Sequence, residues 1–335
     1  MSQRTALITG VAGQDGSYMA ELLLAKDYKV FGLIRRSGSP GHTARIDHLL
    51  DRMELLTGDL TDLSSLQRAL LKSKPNEVYN FAAQSFVGGS FTSPLHTADV
   101  TGLGALQLFE AVRLYTSVSE HVRVYQASSS EMFGEATTST QHEATPFDPL
   151  SPYACAKTFA HFCAQLYRRS YGMYIACGIA FNHESERRGE EFVTRKITKA
   201  VAQVKLGQQD LLRLGNLDAR RDWSHAEDIV RGAYQMLQLE RPHTLVLASG
   251  ETHSVQEFVD KAFDRVGLVG SQYVIQDTAL RRPADPMFLC GDATKARQVL
   301  GWVPQVSFDT LVHRMVDHDL REATEALARD PARAP

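Results

Sequence analysis

A glycine-rich turn near the amino terminus constrains this sequence more than any other feature. Thr5–Thr9 (TALIT) is an apolar run typical of a buried strand, and Gly10, Gly13 and Gly16 follow it with the spacing GxxGxxG. A helical pattern over Ser17–Ala25 comes next. A strand, a glycine turn and a helix in this order place helix N–H groups where they can bind a pyrophosphate. Without that context, the glycines indicate only a tight structural turn.

Strand and helix patterns alternate through the first half of the 335-residue chain. This alternation predicts an α/β fold, a Rossmann-type doubly wound parallel sheet with helices on both faces. The pattern loosens later, which predicts a smaller, partly interleaved C-terminal α/β domain for the substrate. We assign 1–180 to the nucleotide-binding domain, with about 215–250 returning to it, and 181–325 mainly to the second domain. The other predicted strands are Tyr28–Ile34, Met53–Leu56, Glu77–Phe81, Val122–Ala127 and Tyr174–Ala180, and the other predicted helices are Thr97–Leu114, Ser151–Ser170, Thr194–Leu206, His225–Gln238, Val255–Val266 and Phe308–Leu320.

Charge and apolar patterning exclude several classes of protein. The formal net charge of −3 gives no electrostatic reason to expect nucleic acid or an anionic membrane as a partner. No apolar stretch approaches the roughly 20 residues of a membrane-spanning helix, and Met1–Gly10 lacks the features of a signal peptide. The four cysteines, Cys155, Cys163, Cys177 and Cys290, lack metal-site spacing, so no metal is expected. These features predict a cytoplasmic protein.

The end of the second strand bears on the type of cofactor. A site for NAD usually carries Asp or Glu there, to bind the ribose hydroxyls. Here Arg35 and Arg36 follow the strand, and the next carboxylate is Asp47. Two guanidiniums suit a 2′-phosphate, which a carboxylate repels. The residues therefore favour NADP, with a solvated basic turn as the structural alternative.

Two further segments follow predicted strands on the side where a dinucleotide lies. Asp59 and Leu60, after the third strand, are expected beside the adenine. Phe81–Ser85, after the fourth strand, is expected toward the nicotinamide. Taken alone, neither segment is informative. The predicted cofactor residues on these turns are Gly10, Gly13, Gln14, Asp15, Gly16, Arg35, Arg36, Asp59, Leu60, Phe81, Ala82, Ala83, Gln84 and Ser85.

Tyr153 and Lys157 form a YxxxK pair inside a predicted helix. A spacing of four places both side chains on one helix face. A nearby ammonium stabilises phenolate, so tyrosine, which titrates near 10 when free, becomes a usable base at lower pH. YxxxK alone is common in helices. It is specific here because it follows the glycine-rich strand by about 140 residues.

The fifth predicted strand runs into Ser128, Ser129, Ser130 and Glu131. Open α/β sheets bind ligands at the carboxyl ends of their strands. The serines alone also fit a polar turn. A simple alcohol dehydrogenase needs Tyr, Lys and one hydroxyl, whereas an added carboxylate indicates a second proton transfer, as an elimination requires. The predicted catalytic residues are Ser129, Glu131, Tyr153 and Lys157.

Several motifs resemble the extended short-chain dehydrogenase/reductases and, within them, the GDP-mannose 4,6-dehydratase family. The resemblance runs over nearly the whole chain. Its most specific pieces are GQDGSY at Gly13–Tyr18, QASSSEMFG at Gln126–Gly134, SPYACAK at Ser151–Lys157, FNHESERRGEEFVTRKIT at Phe181–Thr198, LGNLDARRDW at Leu214–Trp223 and GDATKARQVLGW at Gly291–Trp302.

The resemblance implies a lyase that removes water from GDP-D-mannose through NADP without net redox change, giving GDP-4-keto-6-deoxy-D-mannose. By this likeness Tyr153 takes the proton of the sugar O4 while hydride leaves C4, and Lys157 holds the ribose. Glu131 removes the C5 proton and helps to protonate the departing 6-hydroxyl. Ser129 hydrogen-bonds O4, and hydride returns to C6.

The resemblance also implies further ligand contacts. The residues assigned to the cofactor are Tyr153, Lys157, His183, Arg188 and His96, the last of which falls where Tyr is usual. The residues assigned to the substrate are Ser85, Ser129, Glu131, Asn182, Lys196, Arg221, Arg282 and Asp285, with Glu184 and Arg220 as weaker candidates. For each charged residue a surface ion pair is the alternative.

Departures from the family pattern leave the sugar open. Phe86 follows Ser85 where His is frequent, and Leu150 stands where Arg is common. One alternative is a 4,6-dehydratase of a related GDP-sugar such as GDP-manno-heptose. Others are an NADP-dependent GDP-sugar reductase or epimerase, which does not require Glu131, and a non-catalytic NADP-binding regulatory protein.

The segment Arg35–Asp47 is longer than a plain strand-to-helix turn. In the family a similar loop reaches a neighbouring subunit beside the cofactor, and a flexible surface loop is the alternative. The resemblance therefore implies a homo-oligomer, a tetramer rather than a dimer.

Overall fold

A sheet of parallel strands forms the centre of the molecule. The computed structural model describes residues 3–36, 42–116, 121–135, 138–280 and 282–329. In chain order its strands are β1 (Thr5–Thr9), β2 (Lys29–Ile34), β3 (Glu54–Thr57), β4 (Glu77–Asn80), β5 (Arg123–Ser129), β6 (Tyr174–Ala180), β7 (Asn182–Glu184), β8 (Leu212–Leu214), β9 (Arg220–Arg221), β10 (Trp223–His225), β11 (Thr244–Leu247), β12 (His253–Ser254), β13 (Val274–Gln276) and β14 (Phe288–Leu289).

Seven of these strands make the central sheet, in the order β11-β6-β5-β4-β1-β2-β3. All of the pairings within it are parallel. The chain starts in the middle at β1, winds outward to β3, and then crosses back to β4. This order confirms the predicted doubly wound Rossmann-type sheet, and it puts the switch of winding direction between β1 and β4.

Helices cover both faces of the sheet. In chain order the helices of the described residues are α1 (Gln14–Ala25), α2 (Leu63–Ser73), α3 (Val87–Thr92), α4 (Pro94–Thr97), α5 (Gly104–Thr116), α6 (Pro152–Tyr171), α7 (Val193–Lys205), α8 (Ala226–Leu237), α9 (Val255–Asp264), α10 (Thr294–Leu300) and α11 (Phe308–Arg329). Leu23 of α1 and Ile229 of α8 belong to one buried apolar layer, and Leu70 of α2 and Phe109 of α5 belong to the layer on the opposite face. Each fully buried side chain of this size contributes about 1.5–3 kcal/mol.

A third apolar cluster lies in the second half of the chain. It joins α7, α9 and α11 around Phe258, Leu311 and Met315. A buried ion pair between Arg195 of α7 and Asp319 of α11, 2.7 Å apart, ties two of these helices together. The proposed boundary near residue 180 remains a prediction, although β11, from the later half, completes the central sheet.

Some element boundaries differ from those predicted. Helix α1 begins at Gln14 rather than Ser17, because Gly13 serves as its N-cap. The predicted helix Thr97–Leu114 is divided into α4, a π-helical turn over Ala98–Leu103 and α5. Gly104 opens α5 where a Cβ atom would lie 2.7 Å from the Cβ of Leu60, so close packing fixes a glycine at this junction. Helix α11 continues to Arg329, nine residues beyond its predicted end.

None of the helices in the described ranges combines the length and the apolar character that crossing a bilayer requires.

Candidate active site

A cleft of about 490 Å³ opens at the carboxyl edge of the sheet. Its volume falls within the range of small-molecule sites, roughly 300–1,000 Å³. Strand ends line it on one side, and the segment after β6 lines it on another. The predicted residues that it brings together are Gly10, Gly13, Gln14, Asp15, Gly16, Arg35, Asp59, Leu60, Phe81, Ala82, Ala83, Gln84, Ser85, His96, Ser129, Glu131, Tyr153, Lys157, Asn182, His183, Arg188 and Arg282.

Two predicted ligand residues lie away from this cleft. Arg36 is exposed just beyond β2 and is not among the lining residues. Lys196 is exposed on α7, and its Nζ donates a hydrogen bond to the carbonyl oxygen of Arg213, 2.8 Å away. Sequence motifs identify residue types in order but do not fix which face of a helix meets the cleft, so this placement was not visible in the sequence.

Arg221 and Asp285 lie behind the cleft wall rather than on it. The carboxylate of Asp285 accepts hydrogen bonds from Arg221 at 2.9 Å and from Arg282 at 3.1 Å. Arg282 lines the cleft, so Asp285 joins a buried guanidinium to one that faces the ligand space. The charges of both arginines act on Glu131.

The two weaker candidates take different positions. Glu184 forms an ion pair with Arg188 at 3.0 Å and so stands beside a cleft residue. Arg220 turns away, donating to the carbonyl oxygen of Thr252 at 2.8 Å and pairing with Glu257 at 3.4 Å. For Arg220 the structure shows the surface ion pair.

The glycine turn permits a close approach of backbone to backbone. Gly10 has a φ of +69°, and a Cβ atom there would lie 2.8 Å from the Ala82 nitrogen. A Cβ atom on Gly16 would lie 2.2 Å from the Gly10 oxygen, so α1 packs directly on the turn. No side chain caps the N-terminus of α1 at Gly13. The first N–H groups of this helix and its positive dipole end can therefore serve an anionic ligand.

Asp15 ties the start of α1 to the segment after β6. Its carboxylate lies 2.8 Å from Nε2 of His183, and the side chain of Gln14 donates to the His183 carbonyl oxygen at 3.1 Å. Burial is the largest single influence and opposes ionisation of both groups, but their mutual attraction and the hydrogen bonds that they make together outweigh it. The pKa of Asp15 is therefore lowered and that of His183 raised. The pair holds one wall of the cleft in place.

Helix α6 presents Tyr153 and Lys157 to the cleft. The Ser151 hydroxyl caps the helix by accepting from the Ala154 N–H at 3.1 Å, and Pro152 fits its first turn. The Nζ of Lys157 donates to the Ala127 carbonyl oxygen at 2.9 Å, at the end of β5. This bond holds the ammonium at the carboxyl edge of the sheet.

Burial moves the pKa values of this pair away from their ordinary values. It raises the pKa of Tyr153 to about 12, although a hydrogen bond with Ser129 acts in the opposite direction. Burial lowers the pKa of Lys157 to about 8. The protein alone therefore keeps Tyr153 protonated near neutral pH.

Glu131 stands on a short 3-10 turn, Ser130–Phe133, that follows β5. The Ser129 hydroxyl accepts a hydrogen bond from the Glu131 N–H at 3.2 Å, which fixes the turn. The carboxyl group is buried, and burial raises its pKa, with Arg221 and Arg282 partly offsetting the rise. A carboxyl group in this setting can both accept and donate a proton.

Several cleft residues were missed in the sequence. Phe192 lines the cleft, stacks under the Arg188 guanidinium at 3.6 Å and meets Phe86 edge to face at 5.8 Å. It belongs to the motif that begins at Phe181, so the signal was present. Tyr125 and Ile229 also line the cleft, but one lies within a strand and the other within a helix, where an apolar residue reads as core.

Fold and site together define an NAD(P)-dependent enzyme of the extended short-chain dehydrogenase/reductase class. The family model described as GDP-mannose 4,6 dehydratase matches residues 7–315. The chain is 52% identical over 330 residues to GDP-mannose 4,6 dehydratase 2 of Arabidopsis thaliana, covering 96% of this chain and 88% of the relative. It is 45% identical over 343 residues to human GDP-mannose 4,6 dehydratase, covering 95% of this chain and 92% of the relative. The chain belongs to the GDP-mannose 4,6-dehydratase family.

A solved structure shows the same architecture. DesIV, a dTDP-glucose 4,6-dehydratase from Streptomyces venezuelae with NAD and TYD bound, matches with a TM-score of 0.82 at 25% identity. The match covers 97% of this chain and 99% of that chain. The resemblance read from the sequence motifs is confirmed.

Proposed function

We propose that this protein removes water from GDP-D-mannose to give GDP-4-keto-6-deoxy-D-mannose, as a hydro-lyase that uses NADP. The observation that carries the proposal is the buried carboxyl group of Glu131 on the same cleft wall as Ser129, Tyr153 and Lys157. A reductase needs Ser129, Tyr153 and Lys157 but does not need the Glu131 carboxyl group. The names of the relatives support GDP-mannose as the substrate.

Tyr153 transfers the proton of the sugar O4 in this mechanism. Its raised pKa of about 12 makes it a poor base in the protein alone. A positive charge nearby lowers the pKa of a phenol, so the group works as a base when the oxidised cofactor and the Lys157 ammonium both face it. Ser129 hydrogen-bonds the same oxygen and holds the sugar.

Glu131 performs the elimination. As a carboxylate it removes the proton from C5, and as a carboxylic acid it then donates a proton to the departing 6-hydroxyl. C5 takes up a proton again when hydride adds to C6, so the sugar loses one water in total. Both steps need a carboxyl group whose two forms are close in free energy near the working pH. The raised pKa of Glu131 moves it in that direction.

The cleft fits a nicotinamide dinucleotide. The uncapped N-terminus of α1 and the bare glycine turn leave room and N–H donors for a pyrophosphate. When bound there, a nicotinamide would supply the hydride acceptor for C4 and the hydride donor for C6. Arg35 lines the cleft where β2 ends, and the two residues that follow the strand, Arg35 and Arg36, are cations and not the carboxylate that would oppose a 2′-phosphate. We therefore propose NADP rather than NAD.

The diphosphate of the substrate needs cations on the other side of the cleft. Arg282 lines it, and Arg221 stands behind, linked through Asp285. We propose that Arg282 and Arg221 neutralise the two phosphates and that Asn182 contacts the nucleotide. Lys196, which lies outside the cleft, reaches a phosphate only if its bond to the Arg213 carbonyl oxygen breaks.

We also propose a homo-oligomer in the cytoplasm, a tetramer rather than a dimer. Phe159, Phe162 and Leu166 on α6 are 42%, 52% and 49% exposed, and such an apolar face supports association between copies. The Arg35–Asp47 segment, proposed to reach a neighbouring subunit, includes 37–41, which lie outside the described residues. Sedimentation equilibrium distinguishes the two states by mass.

A panel of GDP-sugars tests the substrate. Incubation with GDP-mannose should yield a product lighter by one water in mass spectrometry, with no net consumption of NADPH. Faster conversion of GDP-manno-heptose than of GDP-mannose would identify the heptose as the substrate and contradict the proposal. Steady consumption of NADPH would favour a reductase.

A further inference from the structure

A second cavity, of about 330 Å³, opens away from the catalytic cleft. It lies between α6, the start of β11 and α10. Its lining residues are Glu143, Gln165, Arg168, Arg169, Pro242, His243, Thr244 and Lys295. No residue in this set belongs to the catalytic cleft, and none carries a role in the proposed dehydration.

The lining is rich in cations. Arg168, Arg169 and Lys295 face a single lining carboxylate, Glu143, whose Oε1 already accepts from the Val246 N–H at 2.8 Å. Burial lowers the pKa of His243, and the charges of Arg241, Lys295 and Arg168 lower it further. The cavity therefore carries a positive potential that its own side chains do not neutralise, the condition under which an anion binds.

Two of these cations are fixed in place, and a third is unpaired. Arg168 donates through Nε and Nη2 to the Ile175 carbonyl oxygen at 2.9 and 2.6 Å, and Lys295 donates to that of Thr244 at 3.1 Å. Lysine has three donors, so others remain for a ligand. Arg169 is exposed and has no ion pair with any residue that the structure describes.

A chain of hydrogen bonds connects this cavity to the catalytic cleft. Gln165 lines the outer cavity, and its Nε2 lies 2.8 Å from Nε2 of His161. The other ring nitrogen of His161 lies 2.8 Å from Oγ of Ser128, which lines the cleft next to Ser129. Burial lowers the pKa of His161 to about 4, so the ring is neutral and has one donor and one acceptor. An amide that donates to one nitrogen leaves the other to donate to Ser128.

We propose that the outer cavity binds a phosphate-bearing ligand and that binding changes turnover through Gln165, His161 and Ser128. A ligand oxygen that draws the Gln165 amide away from His161 removes the group that sets the His161 tautomer. The hydroxyl of Ser128, one residue from Ser129, then loses its fixed hydrogen-bond partner. The shared chemistry is a phosphate dianion, either free or on a nucleotide.

Calorimetric titration of the NADP-loaded protein with inorganic phosphate tests the site. We expect R169Q/K295Q to lose one class of phosphate sites, with binding there at least about tenfold weaker. The matched control R68Q/K72Q removes two exposed cations of α2, 67% and 60% exposed, and should bind as the wild type does. A parallel titration with AMP distinguishes the ligands, because tighter binding of AMP identifies a nucleotide.

Turnover of GDP-mannose tests the connection. Phosphate should change kcat by at least about twofold in the wild type and in the control. Q165L loses one donor to the ligand, so it should still bind phosphate through the cations, though more weakly, and at saturating phosphate it should lose the effect on kcat. Phosphate that competes in the catalytic cleft would instead raise KM in every variant. Unchanged binding in R169Q/K295Q overturns the site, and an unchanged kcat effect in Q165L overturns the connection. Calorimetry requires no turnover, so failure of the proposed function leaves the binding result intact.

Discussion

Burial shifts the pKa values of the two proposed acid–base residues, Glu131 and Tyr153, in the same direction, with different consequences. It raises the pKa of Glu131, which helps a carboxyl group that must donate a proton as well as accept one. It raises the pKa of Tyr153 to about 12, which hinders a base. Ser129 offsets part of that rise. In the proposed mechanism the positive charge of Lys157, together with that of an oxidised nicotinamide when bound, would offset the remainder.

Tyr153→Phe removes the proton acceptor for O4 and leaves the ring in place. We expect kcat to fall by about 10²–10⁴-fold, since proton transfer by a positioned side chain contributes that much. Tyr171→Phe, on the same helix and 55% exposed, should leave kcat unchanged. Steady-state kinetics with GDP-mannose measure both, and normal turnover in Tyr153→Phe contradicts its assigned role.

Glu131→Gln separates oxidation at C4 from loss of water. The variant keeps Tyr153 and Lys157, so hydride transfer proceeds, but the amide cannot accept the C5 proton. Reduced cofactor should accumulate in a single turnover, seen by its absorbance, while the dehydrated product is absent. Glu135→Gln, a nearby exposed position, is the control. Loss of water at the normal rate in Glu131→Gln would contradict the proposed role of Glu131 in the elimination.

Arg35 and Arg36 test the preference for NADP. Arg35 lines the cleft and Arg36 lies just outside it. Replacing both by Gln should weaken NADP binding by at least about tenfold while NAD changes little, because only NADP carries the 2′-phosphate. Fluorescence titration with each cofactor gives the two dissociation constants, and Arg52→Gln, also exposed, is the control. An equal loss for both cofactors contradicts the assignment.

The motif-bearing residues were predictable because each motif sits at a strand end or a helix start. Gly10, Tyr153 and Glu131 meet in one cleft for that reason. Tyr125 was missed because an apolar residue within a strand does not distinguish a cleft wall from core. Phe192 was missed although it lies in the motif that begins at Phe181. Lys196 is the opposite case: the family motif predicted it as a ligand residue, but its side chain forms its hydrogen bond outside the cleft.

At the scale of elements, α1 and α6 position most of the chemistry. The start of α1 depends on a glycine that no other residue can replace without moving backbone, because a Cβ on Gly16 would lie 2.2 Å from the Gly10 oxygen. Helix α6 depends on the Ser151 cap and Pro152. Both helices were predicted from the sequence, although the start of α1 was placed at Ser17 instead of Gln14. The π-helical turn at Ala98–Leu103 was not predictable, because packing against other elements of the fold determines it.

Gly16→Ala should displace α1 from the glycine turn. We expect cofactor binding to weaken by at least about tenfold and the free energy of unfolding to fall by about 1–3 kcal/mol, the usual cost of overpacking. Gly102→Ala is the matched control, because a Cβ there meets its nearest atom at an ordinary 3.4 Å. Urea unfolding and cofactor titration measure the two effects. Equal behaviour of the two variants contradicts the close-packing account.

At the scale of the molecule, segments from the second half of the chain complete the central sheet and the cleft that the first half forms in part. The central sheet ends with β11, and the cleft needs Arg282, which is held through Asp285 to Arg221 on β9. Alternating patterns predicted the Rossmann-type sheet but not these long-range placements, because the periodicity of one segment carries no information about its partner. The sugar nucleotide side of the cleft therefore comes from the structure and the family, and the cofactor side comes largely from the sequence.

Transfer of deuterium within one sugar tests the central claim most directly. GDP-mannose labelled with deuterium at C4 is incubated with the NADP-loaded protein, and the product is analysed by mass spectrometry and NMR. An internal hydride transfer predicts a product that has lost one water and carries the deuterium at C6, with no net change in NADPH. Deuterium that appears in released NADPH, or a product that keeps all of its oxygen, contradicts a dehydratase.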